Sequence, residues 1–198
     1  MNYTHRRFST ARRLLAGIAL GLSSLAALPV AFAATVPATP THAQADAALP
    51  SPHHVAVDSH SKQSATVILA ARRYAAFWNT GDTAYADLAL SPAFVDRTLP
   101  DGRPQGPDGP RAASKGFRAA VPDLSAEVDD LVVAGDRASV HLHFRGHFTG
   151  EFQGVKGNGQ IVDFQAFDLY RVEGGKIVEN WHLEDNLTLL KQLGVIKS

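Results

Sequence analysis

The stretch from Val162 to Asp185 restricts the fold of this chain more than any other. Two runs of strand-forming residues flank the dipeptide Gly174-Gly175, the pattern of a β-hairpin. Strand side chains alternate between faces, so Phe164, Ala166, Asp168, Tyr170 and Val172 share one side. An aspartate therefore interrupts an otherwise apolar stripe. On the return strand, Val178, Asn180 and His182 fall on one face, and Ile177, Trp181 and Leu183 fall on the other. That distribution predicts a central strand with large apolar groups on both sides.

The turn decides which polar groups meet. A two-residue loop at Gly174-Gly175 pairs Glu173 with Lys176 and sets Asp168 opposite Trp181. A three-residue loop, Glu173 to Gly175 with Gly175 as a left-handed bulge residue, pairs Val172 with Lys176 and Asp168 with Asn180. The second keeps Phe164, Ala166, Tyr170 and Val178 together, whereas a one-residue slip would mix the faces, so it is the expected register. It places His182 diagonally across from Asp168.

Ahead of the hairpin the pattern is helical first and then extended. Ser64 is placed to cap a helix with apolar Val67, Ala70, Ala71, Tyr74, Phe77 and Trp78, stopped at Asn79 to Gly81. Tyr74, Phe77 and Trp78 make an aromatic face expected chiefly to pack on a sheet. Asp82 caps a short helix to about Leu90, and Ser91-Pro92 precedes a brief strand, Phe94 to Asp96, whose aspartate suits a turn or cap. Leu99 to Pro110 reads as a surface loop, and Arg111 to Val121 as a third helix. Strands follow over Ser125–Ala134 and Arg137–Phe148; Thr149–Gly159 is a glycine-rich connection, and Leu187–Leu193 a closing helical turn. Helices followed by consecutive strands predict an α+β domain in which a cone-shaped, curved antiparallel sheet wraps over the N-terminal helices. The open cone is where a small hydrophobic molecule would bind.

Composition narrows the alternatives. Lysine plus arginine equals aspartate plus glutamate, 19 of each in 198 residues, so nothing favours nucleic acid as a partner. The absence of cysteine excludes disulfides, thiolate metal sites and a cysteine nucleophile. Arginines 6, 7, 12 and 13 precede an apolar run ending in Ala31-Phe32-Ala33, which predicts a signal peptide over 1–33 and a periplasmic or secreted protein without a stable membrane span. The Ala/Pro/His-containing segment 34–63 is expected to be a disordered linker, leaving 64–198 as the folded domain. His141, His143 and His147 share the outward face of one strand, but with Arg145 among them and no acidic partner evident, a solvated face or a homodimer contact through the sheet is expected there, and no metal.

Several segments in order, Phe77-Trp78-Asn79-Thr80-Gly81-Asp82, Phe94-Val95-Asp96, Val121-Pro122-Asp123-Leu124, Phe148-Thr149-Gly150-Glu151-Phe152 and Gly175-Lys176-Ile177-Val178-Glu179-Asn180-Trp181, resemble the SnoaL-like polyketide cyclases, or ester cyclases, of the nuclear transport factor 2-like fold. The resemblance covers about Thr66 to Val195. It implies cofactor-free ring closure by an aldol step, with an aspartate on the last strand as general acid/base and a histidine on the strand before it. Aligned through the Gly-Lys-Ile run, the aspartate position holds His182 and the histidine position holds Asp168, so the two residue types are exchanged. The resemblance thus implies His182 and Asp168 as catalytic residues, His182 as acid/base and Asp168 as its orienting carboxylate, in a pocket with Asn180, Tyr170, Ala166, Phe164, Leu142, Trp78 and Asp96. Acid/base chemistry on a small, largely apolar carbonyl compound or ester is the leading expectation. An exported non-catalytic ligand-binding protein and a module that pairs through its sheet face are the other two.

Overall fold

A computed structural model describes residues 46–47 and 49–197. The expected signal peptide and the first part of the expected linker lie outside the described residues. The first helix, α1 (Lys62–Thr80), begins three residues earlier than the Ser64 cap implies: Ser61 accepts from the Ser64 N–H at 3.1 Å, and Ser64 is buried in the first turn. Ala70, Ala71 and Ala75 let the helix lie close to the sheet, between the larger Val67, Tyr74 and Phe77. Asp82 caps α2 (Thr83–Ala89) through the Ala84 N–H at 2.9 Å, as expected. A third helix, α3 (Asp108–Ala120), starts ahead of the expected Arg111, because Pro107 and Pro110 fit its opening turn, where no N–H is needed.

Six strands form one sheet in the order β1-β3-β4-β7-β8-β2. They are β1 (His54–Val57), β2 (Leu90–Asp96), β3 (Ser125–Ala134), β4 (Arg137–Phe148), β7 (Gln160–Glu173) and β8 (Lys176–Glu184). The middle four are antiparallel, and both edge strands, β1 on β3 and β2 on β8, run parallel to their neighbours. Pro92 is tolerated because β2 is an edge. The glycine-rich connection contains a small hairpin, β5 (Glu151–Phe152) and β6 (Val155–Lys156), and α4 (Asn186–Gln192) closes the chain.

Two expectations are corrected here. Residues 49–57 are part of the domain, not linker: Leu49 is buried, Arg72 donates to the carbonyls of Leu49 and Pro50 at 2.8 Å each, and β1 pairs with β3. The alternation His54-Val55-Ala56-Val57 was too short to stand out from the surrounding polar sequence. Second, β8 is next to an edge and its outer face is open, with Leu183 74% exposed.

The hairpin itself follows neither expected register. Gly174 and Gly175 form a two-residue turn with positive φ at both (57° and 79°), the mirror-image turn that matches strand twist, and Glu173 pairs with Lys176. A bulge then places Val172 opposite Ile177 but Arg171 opposite Glu179, leaving Val178 as the extra residue. Val178 leaves the inner face and Ile177 takes its place in the core. Past the bulge, Tyr170 stands opposite Asn180 and Asp168 directly opposite His182.

Candidate active site

The concave face of the sheet, α1, α3 and the segment 97–107 enclose a cavity of about 400 Å³. Of the residues expected there, Asp168, His182, Asn180, Ala166, Phe164, Leu142, Trp78 and Asp96 line it. Tyr170 does not: it is fully buried behind Asp168 and donates its hydroxyl hydrogen to Asp168 Oδ2 at 2.5 Å. Tyr74 and Trp78 face the cavity, while Phe77, from the same aromatic face, is in the core, so that face divides between packing and lining. Apolar walls come from Phe117, Phe144, Phe152 and Phe164, with Phe144 and Phe164 stacked at 5.0 Å.

The polar groups pair differently from expectation. Asp168 and His182 are cross-strand neighbours, yet no hydrogen bond joins them. His182 Nε2 lies 3.0 and 3.2 Å from the two carboxylate oxygens of Asp96, and Nδ1 lies 2.7 Å from Glu184 Oε1. Burial pushes the imidazole pKa down, but the hydrogen bonds and charges of Glu184 and Asp96 outweigh it and carry it up to about 9. At neutral pH the ring is therefore an imidazolium, donating from both nitrogens. Glu184 answers to the same pairing: burial raises its carboxyl, yet His182 holds it below the ordinary value.

Asp168 is the opposite case. Burial raises its carboxyl to about 7, against the hydrogen bond from Tyr170 and the charge of His182, which lower it. Its one side-chain hydrogen bond among the described residues is to Oδ2, which leaves Oδ1 to the cavity. A buried carboxyl poised near neutrality beside a fixed imidazolium can take a proton from, and return it to, a bound molecule. Asn180 adds a carboxamide whose Oδ1 is buried with no hydrogen-bond partner.

Segment 97–107 is the largest departure from the surface loop expected at Leu99–Pro110. Gln105 clamps it to β2, accepting from the Asp96 N–H at 2.7 Å and donating to the Asp96 carbonyl at 2.9 Å. Thr98 Oγ1 accepts from the His182 N–H at 2.9 Å, and Asp96 Oδ1 accepts from the Thr98 N–H at 2.9 Å. Asp96 thus makes both the turn contact expected of it and one of the two bonds to His182. The same segment puts Pro100 and Arg103 on the cavity wall. Glu184 was within reach of sequence reasoning, since Asn180, His182 and Glu184 alternate along one strand. Arg103 was not, because no periodicity fixes a side chain in an irregular segment.

On the outer face, His141, His143 and His147 each have an acidic partner, contrary to expectation: Asp130 at 3.1 Å, Asp163 at 2.6 Å and Asp123 at 2.7 Å. Those carboxylates arrive from β3, β7 and the turn before β3, so strand spacing alone could not reveal them. The ligand atoms of His53, Glu127 and Asp129 lie within 4.8 Å of one another on that face, close enough to share a cation. Arg145, 3.3 Å from Glu127, already supplies a cation there.

The profile of the family described as SnoaL-like polyketide cyclase matches residues 68–193. The chain belongs to that family. Its mixed architecture of helices and one large curved sheet is the SnoaL-like, nuclear transport factor 2-like fold. A Bacillus cereus protein provisionally named a polyketide cyclase is 41% identical, with 76% of this chain and 96% of that one covered and a TM-score of 0.68. TsrD of Streptomyces laurentii is 30% identical over 70% of this chain and all of its own (100%), at a TM-score of 0.61. IdmH of Streptomyces antibioticus, also provisionally a polyketide cyclase, is 29% identical over 68% and 99% of the two chains, at 0.58. No protein with a curated description matches. The match begins inside α1 and ends just past α4, so the SnoaL-like region includes every wall of the cavity, while β1 precedes it.

Proposed function

We propose that this SnoaL-like protein is a cofactor-free acid/base enzyme acting on a small, largely apolar carbonyl compound or ester, with Asp168 as the proton-transfer group and His182 as its electrostatic partner. The observation that carries the reading is the environment of Asp168: a carboxyl at about 7, one oxygen held by Tyr170, the other open to an apolar cavity. Asp168 takes a proton from the carbon next to a carbonyl, and the electron pair moves onto the oxygen as an enolate. The imidazolium of His182 faces that charge with its own position fixed by Asp96 and Glu184, so little reorganisation is needed as charge develops. In a ring closure, the enolate carbon then attacks a second carbonyl of the same molecule. Asp168, now protonated, returns the proton to the alkoxide. The roles are the reverse of those expected from sequence, because a histidine already protonated at pH 7 and bonded through both nitrogens is a poor base.

Family membership and the provisional names of two relatives support a cyclase over other carbon-acid reactions. The test is hydrogen–deuterium exchange next to the ketone of methyl 4-oxo-4-phenylbutanoate, followed by NMR. Asp168→Asn is expected to lower protein-catalysed exchange by roughly 10²–10⁴-fold, and His182→Gln to lower it less. Exchange that survives Asp168→Asn would refute the assignment.

A further inference from the structure

Arg103 stands apart among the charged groups around the cavity. Every other arginine among the described residues has a hydrogen-bond or ion-pair partner: Arg118 donates to the carbonyls of Trp78 and Leu124, Arg73 to Asp46, Arg97 and Arg171 to Glu179, and the rest likewise. The guanidinium of Arg103 has none, although the residue is half-buried and lines the cavity. Its charge reaches Glu184 only at a distance, as one of the smaller influences holding that carboxyl low.

The segment carrying it is held in place. The Arg103 N–H donates to the Pro100 carbonyl at 3.1 Å, Gln105 clamps the segment to Asp96, and the Arg103 stem lies over Gly109. A Cβ at Gly109 would sit 2.4 Å from the Pro104 carbonyl and 3.5 Å from Arg103 Cγ and Cδ, so the absence of a side chain there is what lets the segment lie against α3. An unpaired guanidinium carried on a held segment at the wall of a largely apolar cavity offers a planar fork of donors to an anion.

We infer that Arg103 binds a carboxylate of the substrate, so that the SnoaL-like site takes a keto acid in preference to its neutral ester. The inference rests on the reading of Asp168 as the proton-transfer group, since it fixes which end of the molecule reacts. A carboxylate fits better than a phosphate dianion because Asp96 and Glu184 line the same cavity and repel a second charge. With its carboxylate on Arg103, a keto acid presents its apolar body to Phe117, Phe144 and Phe164 and its ketone to Asp168 and His182.

The experiment compares binding of 4-oxo-4-phenylbutanoate and its methyl ester to the full chain by calorimetry at pH 8, with exchange of the hydrogens next to the ketone read in parallel. Wild type is expected to bind the acid about tenfold or more tighter than the ester, as a charge-assisted contact requires. Arg103→Gln is expected to erase that preference, whereas Arg97→Gln, on the outer surface, keeps it. Equal binding of acid and ester by wild type, no binding of either, or a preference that outlasts Arg103→Gln overturns the inference. Asp168→Asn separates the two readings: it should keep the acid preference and lose exchange. If it loses exchange while wild type shows no preference, the carboxylate inference fails alone; if it keeps both, only the reading of Asp168 fails.

Discussion

At the scale of single residues, the site is two ionisable groups whose proton affinity is raised by different surroundings, burial favouring the neutral carboxyl of Asp168 and paired carboxylates favouring the charged imidazole of His182. Asp168 has its folded-state value raised from 3.8 to about 7 by burial. The folded protein therefore favours the protonated carboxyl, and the stability this group allows is full below about pH 4 and declines as pH rises toward 7. Asp168→Asn should accordingly stabilise the fold at pH 8, by at most about 4 kcal/mol, the whole shift recovered, and have little effect at pH 4. Urea unfolding at the two pH values checks this, and equal effects would contradict it. His182 has the same sign in a higher window: its value rises from 6.5 to about 9, so its contribution is complete below 6.5 and is lost as pH climbs through about 9. Glu184→Gln should bring the His182 transition down toward neutrality, read from its ring-proton NMR titration; an unmoved midpoint would show that Asp96 suffices alone.

At the scale of elements, the hairpin shows what sequence can and cannot carry. The alternation of Asp168, Asn180 and His182 among apolar residues was legible, because period two is a local property of a strand. The register was not, since the bulge at Val178 depends on how β8 meets both β7 and β2. Its effect is to restore the shared inner face that the two-residue turn alone would have broken. Deleting Val178 should therefore turn Asn180, His182 and Glu184 outward or break the pairing, with loss of exchange activity and a lower melting temperature. Wild-type activity in that deletion would mean that the bulge does not set the site. At the turn, Gly174→Ala should cost about 1 kcal/mol, because a residue with a Cβ is strained at a φ of 57° even where space is open.

At the scale of the whole molecule, the order of helices and strands and the family resemblance were readable from the chain, and the sheet that closes the cavity follows them. What could not be read were contacts between segments distant in sequence: β1 on β3, the Gln105 clamp on Asp96, and Arg103 over Gly109. The first has a direct consequence for the domain boundary. A chain beginning at Ser59 should melt roughly 5 °C below one beginning at Asp46, the shift of about 2 kcal/mol for a domain of this size, because it lacks β1 and buried Leu49. The cavity, the carboxyl and the imidazolium together make one claim, that proton transfer at Asp168 operates while His182 is charged. The pH profile of ketone hydrogen exchange on methyl 4-oxo-4-phenylbutanoate measures it. A bell with a rising limb at about 7 and a falling limb at about 9 is the predicted result, and activity that rises near pH 4 or persists unchanged above pH 10 contradicts it.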